Sequence, residues 1–291
     1  MKRCEILKIV WVGVWVILLG GCNSTEHLLK TGRINAHREI PGEKEARLDV
    51  WVISARDAQG EVLEGTYPTS VLLHPWLTDK TWFLPLGEQL AREGWNVVLP
   101  DLRGHGQSGG TWTTWGALER RDILAVMDAL RQEGLASDEI YAFGASLGGC
   151  TALLYAVDDP HCRGVVAVAP VDGVRGFIAQ SSPFADEAAR KRKVIEHGEQ
   201  HGYDPADADP TAAGKGATIP LRLIWGLMDS TVPHEQTGRI FDAWAGPKEH
   251  ELRLDNHGSI QWNKEGYFVE QLQKVRQMAG EGGKASTPTA P

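Results

Sequence analysis

The chain has 291 residues, 42% of them hydrophobic and 23% charged, with a formal net charge of −8. That size and apolar content suit a globular protein with a substantial core, in one large domain or two small ones. The acidic balance argues against nucleic acid as the main partner, and the one short basic run, Arg190 to Lys193, reads as a solvated helix face.

The first residues read as targeting rather than fold. Lys2, Arg3 and Lys8 form a basic start, and Ile9 to Leu19 is an apolar run too short for an ordinary membrane span. The run ends Leu19-Gly20-Gly21-Cys22, which resembles a bacterial lipobox. Residues 1–21 are therefore expected to be a signal peptide and Cys22 a lipidated cysteine, whose several acyl chains give durable membrane anchoring. A plain secretory signal or an uncleaved anchor is the alternative. Neither Asn23 nor Ser24 is the aspartate that retains such lipoproteins in an inner membrane. In a host with two membranes, the resemblance implies the periplasmic face of the outer membrane. Residues 22–43 are polar and aperiodic and read as a tether.

The folded domain is expected over residues 44–278. Leu48 to Ile53 alternates as a strand, Asp57 to Gly60 forms a turn, and Glu61 to Glu64 a short return. Ser70 to His74 is an apolar run suited to an inner parallel strand. Trp82 to Glu93 is a helix closed by Gly94, and Trp95 to Leu99 the next strand. A helix over Leu118–Gln132 has Ile123, Val126, Met127 and Leu130 on one face. Then come Glu139–Phe143 (strand), Leu147–Val157 (helix) and Gly164–Val168 (strand). Residues 171–218 break the rhythm with an apparent helix, Phe184 to His201, and read either as a plain excursion or as a lid. Leu221–Trp225, Gln236–Ala245, Glu251–Leu254 and Gly266–Met278 resume the alternation as strand, helix, strand and helix. Residues 279–291, rich in Gly, Ser, Thr and Pro, read as a disordered tail. The pattern describes a mostly parallel sheet of about eight strands with helices on both faces. Cys150 and Cys162 lie at opposite ends of one helix, about 10 Å or more apart, and are expected as free thiols.

Gly144-Ala-Ser-Leu-Gly148 sits where a strand gives way to a helix. Such a turn holds its serine in a strained backbone and presents the hydroxyl above the sheet. A serine nucleophile needs a base, and the base needs an orienting acid. Ser146, Asp229 and His257 each follow a different strand at its carboxyl end, where catalytic groups of such sheets belong. Asp255 rivals Asp229 but stands only two residues before His257. The Leu147 amide, directly after the serine, is one candidate donor to an oxyanion. Among the tryptophans near these loops, Trp76 and Trp112 are candidates for an apolar pocket as well as for packing; Trp115 and Trp262 read as core.

Over residues 48–278 the chain resembles the α/β-hydrolase family. The resemblance is carried by Gly-Ala-Ser-Leu-Gly at 144–148, Gly226-Leu-Met-Asp229 with Val232-Pro233, Asn256-His-Gly258, and Asp101-Leu-Arg-Gly-His-Gly-Gln-Ser108. It implies the α/β-hydrolase fold with a short helical lid, and a triad of Ser146 (nucleophile), His257 (base) and Asp229 (acid). It also implies a second oxyanion donor, the Trp76 amide, in the loop after the third strand. His74 matches a structural histidine of that loop, and His105 is expected to organise its own loop. Pro75 stands where the family usually has glycine. Proline fixes φ and lacks an N–H, so a loop needing positive φ at 75 would be reshaped.

The expected chemistry is hydrolysis of carboxylic esters or related small acyl substrates through an acyl-enzyme, with no metal or organic cofactor implied. Alternatives are a peptidase resembling proline iminopeptidases, with Asp186 and Glu187 as candidates for holding an α-amine, or an amidase or thioesterase. A non-catalytic binding protein on the same fold is the reading from a different class.

Overall fold

The computed structural model describes residues 24–110 and 112–284. The expected signal peptide, Cys22 and the end of the expected tail, 285–291, lie outside the described residues. Eight strands form one sheet in the order β1-β2-β4-β3-β5-β6-β7-β8. They are β1 (Ala36–Pro41), β2 (Arg47–Ile53), β3 (Thr69–Leu73), β4 (Asn96–Pro100), β5 (Ile140–Ala145), β6 (Cys162–Val168), β7 (Leu221–Gly226) and β8 (Lys248–Arg253). The β1/β2 and β2/β4 pairs are antiparallel, and every pair from β4 to β8 is parallel.

Side chains alternate between two cores, as a sheet covered on both faces requires. Val71, Leu73 and Val98 belong to one core, with Ile123 and Val126 of α3 (Glu119–Gln132) and Leu153 of α4 (Leu147–Asp158). Leu72, Val97 and Leu99 belong to the other, with Leu86 and Leu90 of α2 (Leu84–Arg92) and Phe268 and Leu272 of α9 (Glu265–Lys284). From β3 the chain passes to β4 on one side, and from β5 to β6 on the other. The loops leaving β3 and β5 therefore part at a switch point, which opens a crevice beyond their carboxyl ends.

The region read as a tether is folded from Ser24 onward. Helix α1 (Thr25–Lys30) is capped by the Ser24 side chain, and β1 pairs with β2. Leu28, Ile34, Ala36 and Ile40 are buried; four scattered apolar residues are too few to give a periodic signal, yet enough to seat the segment. The return expected at 61–64 is a single bridge, Arg56 to Val62, so the antiparallel partner of β2 comes from before it. The excursion at 171–218 holds α5 (Gly173–Ser181), α6 (Glu187–His201) and α7 (Pro210–Gly214). Helix α5 escapes sequence reading because it is short and carries Gly173 and Gly176, both poor helix formers; buried Val174 holds it down. Helix α8 (His234–Ala243) follows β7, and α9 runs to Lys284, past its expected end at Met278. Cys150 and Cys162 are both buried free thiols. Among the described residues, no helix is long and apolar enough to cross a membrane.

Candidate active site

Ser146 closes β5 and opens α4 with φ 52° and ψ −114°, a conformation that L-residues rarely adopt. Its N–H donates to Val168 O (2.9 Å) and its carbonyl accepts from Cys150 N (3.0 Å), so strand β6 and helix α4 hold it from both sides. The flanking glycines are required by space. A Cβ at Gly144 would stand 2.1 Å from Gly148 O, and one at Gly148 would stand 1.9 Å from Leu73 O. The turn is thus wedged against the end of β3 and against the loop that begins at His74.

His257 and Asp229 arrive from the loops after β8 and β7. His257 Nε2 lies 3.1 Å from Ser146 Oγ, and Nδ1 lies 2.7 Å from Asp229 Oδ2. An ionised carboxylate only accepts, so Nδ1 carries the proton and Nε2 is free to accept from the serine hydroxyl. Asp229 is fixed through its other oxygen, which accepts from Thr231 N (2.9 Å) and Val232 N (2.8 Å). Its side chain is buried, whereas a fifth of the His257 side chain reaches the surface. Asp255 is engaged elsewhere, with Arg253 Nε (3.0 Å) and Ser259 Oγ (2.9 Å). Gln261 Nε2 donates to His257 O at 2.8 Å and steadies the base loop from below.

The loop after β3 carries Trp76. Its positive φ falls on Leu77 (62°) and not on Pro75, so proline's fixed φ is compatible with the turn. Pro75 O accepts from Thr78 Oγ1 and lies 2.8 Å from His74 Nδ1. Leu102 N donates to His74 Nε2 at 2.9 Å. His74 is therefore a neutral imidazole stitching two loops together, and burial drives it down to about 3. His105 closes its own loop, with Nδ1 2.9 Å from Arg103 O.

Beneath this loop lies a charge cluster with no periodic signature in the sequence. Lys80 is buried, with Nζ 2.6 Å from Asp49 Oδ1 and 2.5 Å from Asp101 Oδ2, and it sits 4.6 Å over the Trp51 ring. Asp101 also accepts from the backbone amides of Lys80 and Gln107, both at 2.7 Å. A second buried carboxylate, Glu119, accepts from Thr113 Oγ1, Thr114 Oγ1 and the amides of Thr114 and Gly116. It fixes the turn in which Trp115 takes φ 55°. Trp115 stacks on Phe177 of α5 (4.2 Å), and both rings meet Trp76 (5.4 and 5.8 Å). These three rings form an aromatic wall beside the serine turn, to which Cys150 Sγ ties Trp115 through its carbonyl. Trp115 is core, as expected. Trp262 is not, being 47% exposed, and Trp112 is exposed beside His201. Asp186 caps α6, accepting from Ala189 N at 2.7 Å, and Glu187 faces solvent. Among the described residues, no His, Cys, Asp or Glu cluster is placed to hold a metal ion.

Residues 70–193 match the family described as alpha/beta hydrolase fold. The structure is similar to an esterase of Pyrococcus furiosus, with a TM-score of 0.66 at 20% identity, covering 86% of this chain and 93% of that one. The chain has the α/β-hydrolase fold. A puromycin-hydrolyzing peptidase of Mycobacterium tuberculosis shares it, with a TM-score of 0.65 at 18% identity over 84% of this chain and 39% of that one. The hydrolase fold therefore serves both bond types, and chemistry has to be argued from the site. In sequence, the chain is 31% identical over 188 residues to the uncharacterized protein YqkD of Bacillus subtilis. That match covers 59% of this chain and 58% of the relative's length.

Proposed function

We propose that the protein is a serine hydrolase that cleaves carboxylic esters through an acyl-enzyme. The observation that carries this reading is the unbroken chain from Ser146 Oγ through His257 to Asp229, at 3.1 and 2.7 Å, at the carboxyl ends of three strands. His257 Nε2 takes the hydroxyl proton as Ser146 attacks the carbonyl. Asp229 holds the imidazole in the required tautomer and offsets its charge once protonated. The amides of Leu147, in the first turn of α4, and Trp76 stabilise the oxyanion, each contributing roughly 10²- to 10³-fold to the rate. His257 then protonates the leaving alcohol, and water, activated by the same nitrogen, releases the acid.

The peptidase reading gains no support from its two candidate acids: Asp186 caps α6 through one oxygen, and Glu187 faces solvent. The test is turnover of p-nitrophenyl acetate and butyrate, with labelling by a fluorophosphonate, in the parent protein and in Ser146→Ala. Both signals vanish in the variant on this reading. A variant that retains the parent rate refutes it.

A further inference from the structure

A groove of about 830 Å³ opens beside the candidate site, between α2 and the start of α9. One lip is Leu77 and Thr78, which directly follow Trp76. Another is Gln261 and Trp262, in the loop tied to the His257 carbonyl. The aromatic wall of Trp76, Trp115 and Phe177 involves other elements, α5 and the loop before α3. In a reaction through an acyl-enzyme, the base must reach the leaving-group oxygen to protonate it. The reacting residues do not line the groove; it borders the base loop through Gln261, the side from which a leaving alcohol would be protonated, and leaves the aromatic wall to the acyl group.

The lining says what kind of alcohol. Trp82 and Trp262 meet edge to face at 4.9 Å, and Trp262 is 47% exposed. Together they give a corner of exposed aromatic surface on which the C–H faces of a ring can lie. Around it stand the amides of Gln89 and Asn263, each able both to donate and to accept. The charges cancel: Arg33, Arg92 and Lys264 are matched by Asp79, Glu88 and Glu265. Of these, Arg33 pairs with Glu88, and Asp79 accepts from Thr81 N. The lining therefore carries no excess of formal charge to select an anionic or a cationic ligand. A neutral ring bearing many hydroxyls finds both of its needs, an apolar platform and bidentate polar partners.

We propose that this groove is a leaving-group subsite for the neutral saccharide portion of an acylated sugar. This rests on the serine-hydrolase reading for its catalytic half. The Ser146 Oγ–acyl bond forms as the acyl–oxygen bond to the sugar breaks. The serine proton passes through His257 to the departing sugar hydroxyl. Water then bonds the acyl carbon as the Ser146 Oγ–acyl bond breaks, and its proton passes through His257 to Ser146 Oγ, releasing the carboxylic acid.

The binding half is tested without turnover. Xylotetraose and cellotetraose are titrated calorimetrically into Ser146→Ala, with tetra-alanine as the uncharged-backbone comparison. Saturable binding of at least one oligosaccharide is expected, weakened at least about tenfold by adding Trp262→Ala. Gln89→Ala, on the α2 wall, is the second variant and should weaken binding measurably even if loss of Trp262 disturbs its loop. In the active protein, kcat/KM for an acetylated xylo-oligosaccharide relative to p-nitrophenyl acetate should fall about tenfold in Trp262→Ala. No saturable binding of either oligosaccharide, equal binding of tetra-alanine, or affinities within twofold of the parent in both variants would overturn the proposal. The titration reads the groove whether or not Ser146 is the nucleophile, so loss of the catalytic reading and loss of this one are separate results.

Discussion

Lys80→Met probes how the loop carrying Trp76 is held. Methionine keeps the unbranched stem over Trp51 and removes only the charge. In the parent, the ammonium lies 2.6 Å from Asp49 and 2.5 Å from Asp101, with the lysine side chain 4% exposed and the carboxylates 8% and 0%. Removing it leaves two buried carboxylates side by side without their cation, a change that costs about 3–5 kcal/mol. Asp101 retains the amides of Lys80 and Gln107, and Asp49 retains His37 at 2.6 Å, which places the expectation at the lower end. In a domain of this size each kcal/mol moves the midpoint by about 2–4 °C, so Tm should fall by at least about 6 °C at pH 7. The contrast is Arg38→Ala. Its pair with Glu133 has a comparable separation, 2.6 Å, but the two side chains are 40% and 41% exposed, and such pairs contribute about 0–1 kcal/mol. Calorimetric melts of both variants decide the matter. A Lys80→Met midpoint within about 2 °C of the parent, or no lower than that of Arg38→Ala, would show that the cluster does not hold this part of the fold.

Two further outcomes follow from the hydrogen bonding. In Asp229→Asn, the amides of Thr231 and Val232 keep the side-chain oxygen, which turns the new NH₂ toward His257 Nδ1 and forces the wrong imidazole tautomer. Esterase kcat should fall about 10⁴-fold with little change in Tm, and a loss under tenfold would contradict the assignment. His74 accounts for the second. Unfolded, it takes a proton below its ordinary 6.5; folded, only near 3. The unfolded chain therefore binds the extra proton between those values, so stability is full above about 6.5 and is lost as pH falls toward 3. From pH 7 to 5 this one group removes about 2 kcal/mol. Urea unfolding at the two pH values should show a drop smaller by about that amount in His74→Gln, and an identical pH dependence in both proteins would refute it.

What could be read in the sequence and what could not have different physical origins. Strands β3 to β7 announce themselves because a doubly covered parallel strand is largely apolar, and the Ser146 turn because only glycine fits 1.9 Å from a backbone carbonyl. Asp229 and His257 could be proposed because the fold puts reactive groups at strand ends, a rule of topology and not of composition. The segment at 25–41 stayed hidden because its burial is sparse and its strand pairs at the sheet edge. Lys80, Asp49 and Asp101 stayed hidden for another reason. A lysine in Thr78-Asp-Lys-Thr81 looks like any surface lysine until β2, β4 and the turn before α2 meet around it.

Those two classes of residue share the work of the site. The triad residues, visible in sequence, position the reacting atoms, whereas the loops are held by both kinds, His74 and His105 being visible and the Lys80 cluster hidden. Leu147 is held by the turn of Ser146 itself, so one proposed donor comes with the nucleophile. Trp76 has no such tie. Its loop is fixed by His74 to Leu102, by Lys80 to Asp101, and by its own ring against Trp115 and Phe177. Two of these three restraints are polar and buried, and the third is shared between Trp115, in the turn before α3, and Phe177 of the 171–218 excursion. A substrate that displaces Phe177 would therefore act on the Trp76 amide as well as on the room for its acyl group. On the proposed mechanism, acyl-group selectivity and transition-state stabilisation are coupled through one aromatic wall, and substitutions at Phe177 should alter kcat and not KM alone.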